Sequence, residues 1–270
     1  MKLGISSYSY GWSIGVPENM PVNPLNEMDL LNKAEKYGVK LLQVGDNLPL
    51  HTLSEERLTS FKWKSKQLGI EIEIGTRGFK PEIIQTYIEI AKKLNSSLIR
   101  IVPDMKNYEP SSDEIVSVAK QFTTELERNQ ITLGIENHDR FFVKELARII
   151  ERIGSSHVGI CLDTVNSFGA AEGTESVVDT LGPLTVNLHI KDFQIQRFYH
   201  LMGFTCEGRP AGQGMLNVPW LLNKLESCSR NCNAILELWT PPEESLEKTI
   251  DKEEEWVRQS MQYLRQWIKN

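Results

Sequence analysis

Ile131–His138 reads ITLGIENH, Val158–Asp163 reads VGICLD, Thr185–Asp192 reads TVNLHIKD and Ala234–Trp239 reads AILELW. Each is a short apolar run rich in β-branched residues and bounded by polar ones, the pattern of a strand buried on both faces. Each also carries an acid or an imidazole at or near its end: Glu136, Asp163, His189 and Glu237. Burying three carboxylates together without a cation is costly, because like charges at short range drive one another toward protonation. Carboxylates and an imidazole converging from four strand ends therefore point to a cage for a divalent metal. Oxygen-rich ligands with one imidazole suit Mn²⁺ or Mg²⁺, with Co²⁺ or Zn²⁺ also compatible.

Outward from these runs, strand-like segments alternate with segments of helical periodicity along the chain. Strands are predicted to begin near Lys2, Leu41, Ile70, Leu98, Thr132, His157, Val186 and Ala234. Helices are predicted over Asp29–Tyr37, Ser54–Leu68, Glu82–Leu94, Asp113–Arg128, Phe142–Ile153, Thr174–Leu181, Asn217–Glu226 and Lys252–Trp267. Ser54 suits an N-cap, and Gly38 and Gly69 stand where helices should stop. Alternating βα units are compatible with an open doubly wound sheet or a closed barrel. The count of eight favours an α/β fold of the (β/α)8 TIM-barrel type, in one domain spanning 1–270. In such a barrel the carboxyl ends of the strands form the active-site face.

Composition narrows the function further. The 270 residues are 40% hydrophobic and 24% charged, enough for a sizeable core. A formal net charge of −6 argues against a broad electrostatic grip on nucleic acid or anionic lipid. Cys161, Cys206, Cys228 and Cys232 form no CxxC pair and are read as free thiols. With no signal-peptide pattern and no long apolar run, a cytoplasmic location is expected.

Set in GIENH, CLDTVN, LHIKD and LELW, the order Glu, Asp, His, Glu resembles the sugar isomerase and epimerase superfamily with the xylose-isomerase-like barrel, including the ketose 3-epimerases. The resemblance implies a carbohydrate substrate, and homodimers or tetramers are frequent in that family. It also implies that Glu136 and Glu237 both ligate the metal and exchange protons with the substrate through an enediolate. A metal chelating a carbonyl and the neighbouring hydroxyl would stabilise the charge that develops. Ketose 3-epimerases commonly carry a histidine three residues after the aspartate; here that place is Asn166, which can bond a hydroxyl but is not a strong base. His138, two residues past Glu136, is a candidate substrate contact.

The connection from His189 to Glu237 spans 237 − 189 = 48 residues, and Lys191–Leu216 within it reads as a lid or specificity loop. It carries Lys191, Arg197, His200 and Arg209 among glycines, a combination suited to closing over an anion. Lys191, Arg197 and His200 are taken as functional, and Arg209 as solvated. The segment HIKDF followed by Arg197, His200, Met202–Phe204, Gly208, Pro210 and Gly212–Gly214 is similar to the branch that decarboxylates 3-oxo sugar acids such as 3-oxo-isoapionate. Loss of CO₂ from such a substrate would give the same kind of enediolate as loss of a proton, so a carboxy-lyase is the alternative to an isomerase or epimerase. A non-catalytic sugar-binding module would not need two facing glutamates. A metal-dependent endonuclease of this fold would need further histidines and a basic groove. Arg100, inside LIRIV, is expected to pair with Glu71, Glu73 or a metal-site carboxylate, while Tyr8, Tyr10, Trp12 and Trp239 suit either an aromatic wall or the core.

Overall fold

The computed structural model describes residues 1–230 and 232–269. Among these, β1 (Leu3–Ser6), β2 (Leu41–Val44), β3 (Glu71–Arg77), β4 (Leu98–Val102), β5 (Thr132–Glu136), β6 (Val158–Asp163), β7 (Thr185–Ile190) and β10 (Asn233–Leu236) close into a barrel. Every neighbouring pair is parallel, and β10 pairs with both β7 and β1 to complete the ring. The eight-stranded closed barrel expected from the alternation is therefore the fold. An antiparallel hairpin, β8 (Asp192–Arg197) with β9 (Phe204–Arg209), stands apart from it.

The helices are α1 (Gly11–Ile14), α2 (Glu27–Lys36), α3 (Glu55–Leu68), α4 (Pro81–Leu94), α5 (Ser112–Asn129), α6 (Val143–Ile153), α7 (Thr174–Leu181), α8 (Val218–Ser227) and α9 (Leu246–Leu264). Their ends follow local chemistry. Asn26, Ser54 and Ser111 cap α2, α3 and α5, and Asp29 and Glu114 return the bond in capping boxes. Gly69 and Gly154 end α3 and α6 in the left-handed conformation that glycine adopts without a side-chain penalty. In α6, Val143, Leu146, Ile149, Ile150 and Ile153 are buried, an apolar stripe at helical spacing that faces the barrel wall. The last helix begins at Leu246, ahead of the expected Lys252, where Ser245 caps it by accepting the Lys248 N–H; its first turns bury the polar Thr249 and Glu253, so the hydrophobic pattern starts later than the helix.

Two devices shape the active-site face. Glu253 of α9 accepts the backbone N–H of Trp12 at 2.9 Å and of Ser13 at 3.0 Å, plus the Ser13 hydroxyl at 2.6 Å, so the segment after β1 is tied to the last helix. Trp12 donates its indole N–H to the Thr240 carbonyl at 2.8 Å, and Tyr10 is fully buried in the core. On the far side, Asp192 accepts the N–H groups of Phe193, Gly212, Gly214 and Leu216 at 2.8–3.0 Å, folding the turn after the hairpin back onto the hairpin's base. Lys191–Leu216 is thus not an open loop. Its first part is a two-stranded hairpin and the rest is a turn held by one buried carboxylate.

The hairpin base lies against the end of the eighth barrel strand at Gly208. A Cβ built there would sit 2.0 Å from the Trp239 carbonyl oxygen and 2.5 Å from the Trp239 Cβ. Gly208→Ala must push the hairpin away from the segment carrying Glu237, with an overpacking cost of about 1–3 kcal/mol. We expect a melting temperature lower by several degrees; an unchanged melting curve would contradict this docking.

Candidate active site and metal centre

The four strand-end residues meet. Glu136, Asp163, His189 and Glu237 are all at most 1% exposed. Register explains the convergence: Asp163 pairs with His189 across β6 and β7, Glu136 with Cys161 across β5 and β6, and Ile235 with His189 across β10 and β7. With side chains alternating along each strand, residues in register or two apart share the inner face. His189 Nδ1 lies 3.4 Å from Glu237 Oε1, 3.6 Å from Glu136 Oε2 and 3.8 Å from Asp163 Oδ2.

Each ligand candidate is held from outside the cluster. Asp163 Oδ1 accepts the N–H of Val165 and of Asn166, both at 2.9 Å, which turns Oδ2 inward. Asn137 bonds both the N–H and the carbonyl of Asp163, at 2.7 and 2.9 Å, stitching the end of β5 to the end of β6. Ser6 donates to Glu237 Oε1 at 3.0 Å. Glu136 has both oxygens occupied: Oε2 pairs with Arg100 Nε, and Oε1 accepts from Asn166 Nδ2 at 2.7 Å. Arg100 in turn donates to Asp46 Oδ1 at 2.6 Å, and Arg77 holds the other oxygen of Asp46 at 2.5 Å. Of the partners expected for Arg100, the strand-end carboxylate Glu136 is the one it meets; its second partner, Asp46, lies outside any strand-like run.

Lys191 is buried, with Nζ 2.9 Å from Asp163 Oδ2, 3.0 Å from Glu237 Oε2 and 3.3 Å from Asn166 Oδ1. Its backbone is clamped by the Thr164 hydroxyl, which accepts from Lys191 N and donates to Lys191 O. Burial alone would lower its pKa, but Asp163 and Glu237 outweigh burial and raise it, so the ammonium stays charged. Burial would raise Glu237, yet the facing His189 and Lys191 hold it well below the usual carboxylate range. For His189 burial lowers the pKa, and Glu237 and Glu136 more than reverse this. The Cys161 thiol, one strand position from the cluster, is pushed well up by burial and by Glu136.

Among the described residues, His189 Nδ1 is a buried atom without a hydrogen-bond partner; Asp163 Oδ2 and Glu237 Oε2 face it beside the Lys191 ammonium, and Asp163, His189 and Glu237 offer ligand atoms within 4.8 Å of one another. Buried polar atoms left unpaired are rare and call for an explanation. Two carboxylate oxygens and one imidazole nitrogen, with Glu136 alongside, have the chemistry of a divalent-metal donor set, so the residues fit such an ion.

The other sequence candidates fall in different places. Asn166 is 7% exposed and bridges Glu136 and Lys191. His138 is part-exposed at the mouth, 3.1 Å from Asp139. Arg197 and His200 are not brought to the cluster. Arg197 ends β8, five residues beyond Asp192 and so about 17 Å along an extended strand. It donates to the Leu201 carbonyl at 2.9 Å and lies over the Phe204 ring, while His200 stacks on Phe198. Arg209 is occupied within the hairpin by Gln194 at 2.8 Å. Sequence reading missed Gln43, which reaches His189, and Asn137; the signal was a polar residue at inward parity in an apolar strand or beside a strand end.

Comparison with known proteins agrees with this architecture. Over 266 residues, covering 98% of this chain and 95% of the relative, the chain is 32% identical to the 3-oxo-isoapionate decarboxylase of Pectobacterium atrosepticum. A crystal structure of D-psicose 3-epimerase in the presence of D-fructose superposes with a TM-score of 0.74 at 16% identity, covering 100% of both chains. A xylose isomerase-like protein from Mycobacterium smegmatis in complex with magnesium gives a TM-score of 0.71 at 12% identity over 97% of both chains. At these identities the solved structures speak to the fold. The model of the family described as xylose isomerase-like TIM barrel matches residues 29–267, and with its parallel eight-stranded barrel the chain belongs to that family.

Proposed function

We propose that the protein is a divalent-metal-dependent carboxy-lyase acting on a 3-oxo sugar acid, with Glu136, Asp163, His189 and Glu237 holding the ion. The observation that carries this reading is the buried Lys191 ammonium, 2.9 Å from Asp163 Oδ2 and 3.0 Å from Glu237 Oε2, a proton donor placed beside the candidate ligands. Decarboxylation needs no base to break a C–H bond. The similarity to a 3-oxo-isoapionate decarboxylase along nearly the whole chain supports the same choice.

When bound, the divalent ion would polarise the ketone oxygen and stabilise negative charge as it forms there. The bond between the carboxylate carbon and its neighbour breaks, its electron pair enters the new carbon–carbon double bond of an enediolate, and CO₂ leaves. A proton must then reach the vacated carbon. Lys191, a buried ammonium against Asp163 and Glu237, is the proton donor in this reading and is recharged from solvent. Asn166 and His138 are assigned to substrate hydroxyls, and Arg100 holds Glu136 in place. Arg197 and His200, engaged at the far end of the hairpin, receive no substrate contact. A sugar isomerase or epimerase is the second reading, favoured by the placing of Glu136 and Glu237 at 3.6 and 3.4 Å from the same His189 nitrogen.

Metal-loaded protein in D₂O should release CO₂ from a 3-oxo sugar acid and place deuterium on the vacated carbon, while neutral ketoses keep their C–H protons by proton NMR. Exchange next to the carbonyl of a neutral ketose without carbon loss would favour the epimerase instead. Lys191→Met should lower turnover by about 10²–10⁴-fold, the usual weight of a general acid; near-normal turnover would remove Lys191 from the chemistry. Glu136→Gln and Glu237→Gln should each abolish turnover at saturating Mn²⁺ with an unchanged circular dichroism spectrum, and activity in either would refute its place in the ligand set.

A further inference from the structure

Beneath the cluster the barrel interior is polar. Gln43 and Glu73 are buried and in register across β2 and β3. His189 Nε2 lies 2.7 Å from Gln43 Oε1. The nitrogen of the same amide donates to Glu73 Oε2 at 3.1 Å and to Asn187 Oδ1 at 3.0 Å. Asn187 Nδ2 also donates to Glu73 Oε2, at 2.9 Å, and Asn233 Nδ2 to Glu73 Oε1, at 2.7 Å. We infer that Glu73 and Gln43 are positioning residues: a relay from β3 through β2 to β7 that dictates which nitrogen His189 presents to the divalent ion.

The inference rests on the reading of His189 as a metal ligand, and its logic is directional. A side-chain amide donates only from nitrogen and accepts only at oxygen. Three amide nitrogens turned toward one carboxyl mark Glu73 as the acceptor at the end of the chain. With its nitrogen committed to Glu73 and Asn187, Gln43 must present oxygen to His189. That oxygen is satisfied only by an N–H on Nε2, which leaves the Nδ1 lone pair facing Glu136, Asp163 and Glu237. Nδ1 is the imidazole atom found without a hydrogen-bond partner. A ring turned the other way would set C–H against a buried amide oxygen, leaving an acceptor unpaired at a cost of about 1–3 kcal/mol. Partners that orient a ligating histidine through its second nitrogen are a recurring feature of metal sites.

The test titrates purified protein with Mn²⁺ alone by calorimetry and reads the His189 tautomer from long-range ¹H–¹⁵N correlations in the Mg²⁺-loaded form. Wild-type protein should bind the ion with His189 protonated at Nε2. Gln43→Met, which keeps the volume and removes the acceptor, and the isosteric Glu73→Gln should each weaken Mn²⁺ binding by about 10–100-fold, the typical cost of losing an outer partner. Both should lose the single tautomer. Wild-type affinity and an unchanged tautomer in either variant that folds would overturn the relay while leaving the metal site standing. Failure of wild-type protein to bind Mn²⁺ or Mg²⁺ would overturn the metal reading, and the relay with it.

Discussion

Three carboxylates are buried within a few ångströms of one imidazole, and the rest of the active-site face is organised by the need to keep them there. The energetic problem is desolvation: an ionised carboxylate removed from water is tolerated only when paired and hydrogen-bonded. Each carboxylate meets that demand differently. Glu136 takes a guanidinium and an amide, Asp163 two backbone N–H groups at the start of the following turn, and Glu237 a serine hydroxyl. Lys191 adds a charge between Asp163 and Glu237. Asp163 Oδ2, His189 Nδ1 and Glu237 Oε2 are turned toward one another, the arrangement expected of donor atoms kept for a cation.

This solution requires polar residues in the barrel interior. Where many parallel barrels stack branched aliphatic side chains, this one places Gln43, Glu73, Arg100 and Asn187. Arg100 links Glu136 to Asp46 and, through it, to Arg77 at the mouth. Burial would raise the Asp46 pKa, but Arg100 and Arg77 outweigh it and keep the carboxylate ionised. The candidate site residues therefore sit at the ends of strands whose neighbours hold their side chains in place, the condition the proposed function needs for placing a substrate accurately. In the proposed reading, the buried Lys191 ammonium beside two candidate ligands is placed to return a proton to carbon.

Much of this was legible in the sequence because barrel strands end where chemistry begins. Glu136, Asp163, His189 and Glu237 stood out as charged endings on apolar runs, and their spacing implied the alternation that closes the barrel. The hairpin was less visible. DFQIQR and FTCEGR do alternate, but glycines and basic residues around them read as a loop, and the role of Asp192 in folding four backbone N–H groups together depends on contacts up to 24 residues away. Gln43 was hidden for a different reason: one polar residue in LLQV looks like noise until the register sets it beside Glu73. The start of α9 escaped notice because its inner face is made of Thr249 and Glu253, which carry no hydrophobic period.

Anomalous X-ray diffraction from crystals of Mn²⁺-loaded protein would show whether these residues hold a cation. One anomalous peak is expected at coordination distance from Asp163 Oδ2, His189 Nδ1 and Glu237 Oε2, with Glu136 completing the set. A map with no peak among these residues, and the Lys191 ammonium still bridging Asp163 and Glu237, would contradict it.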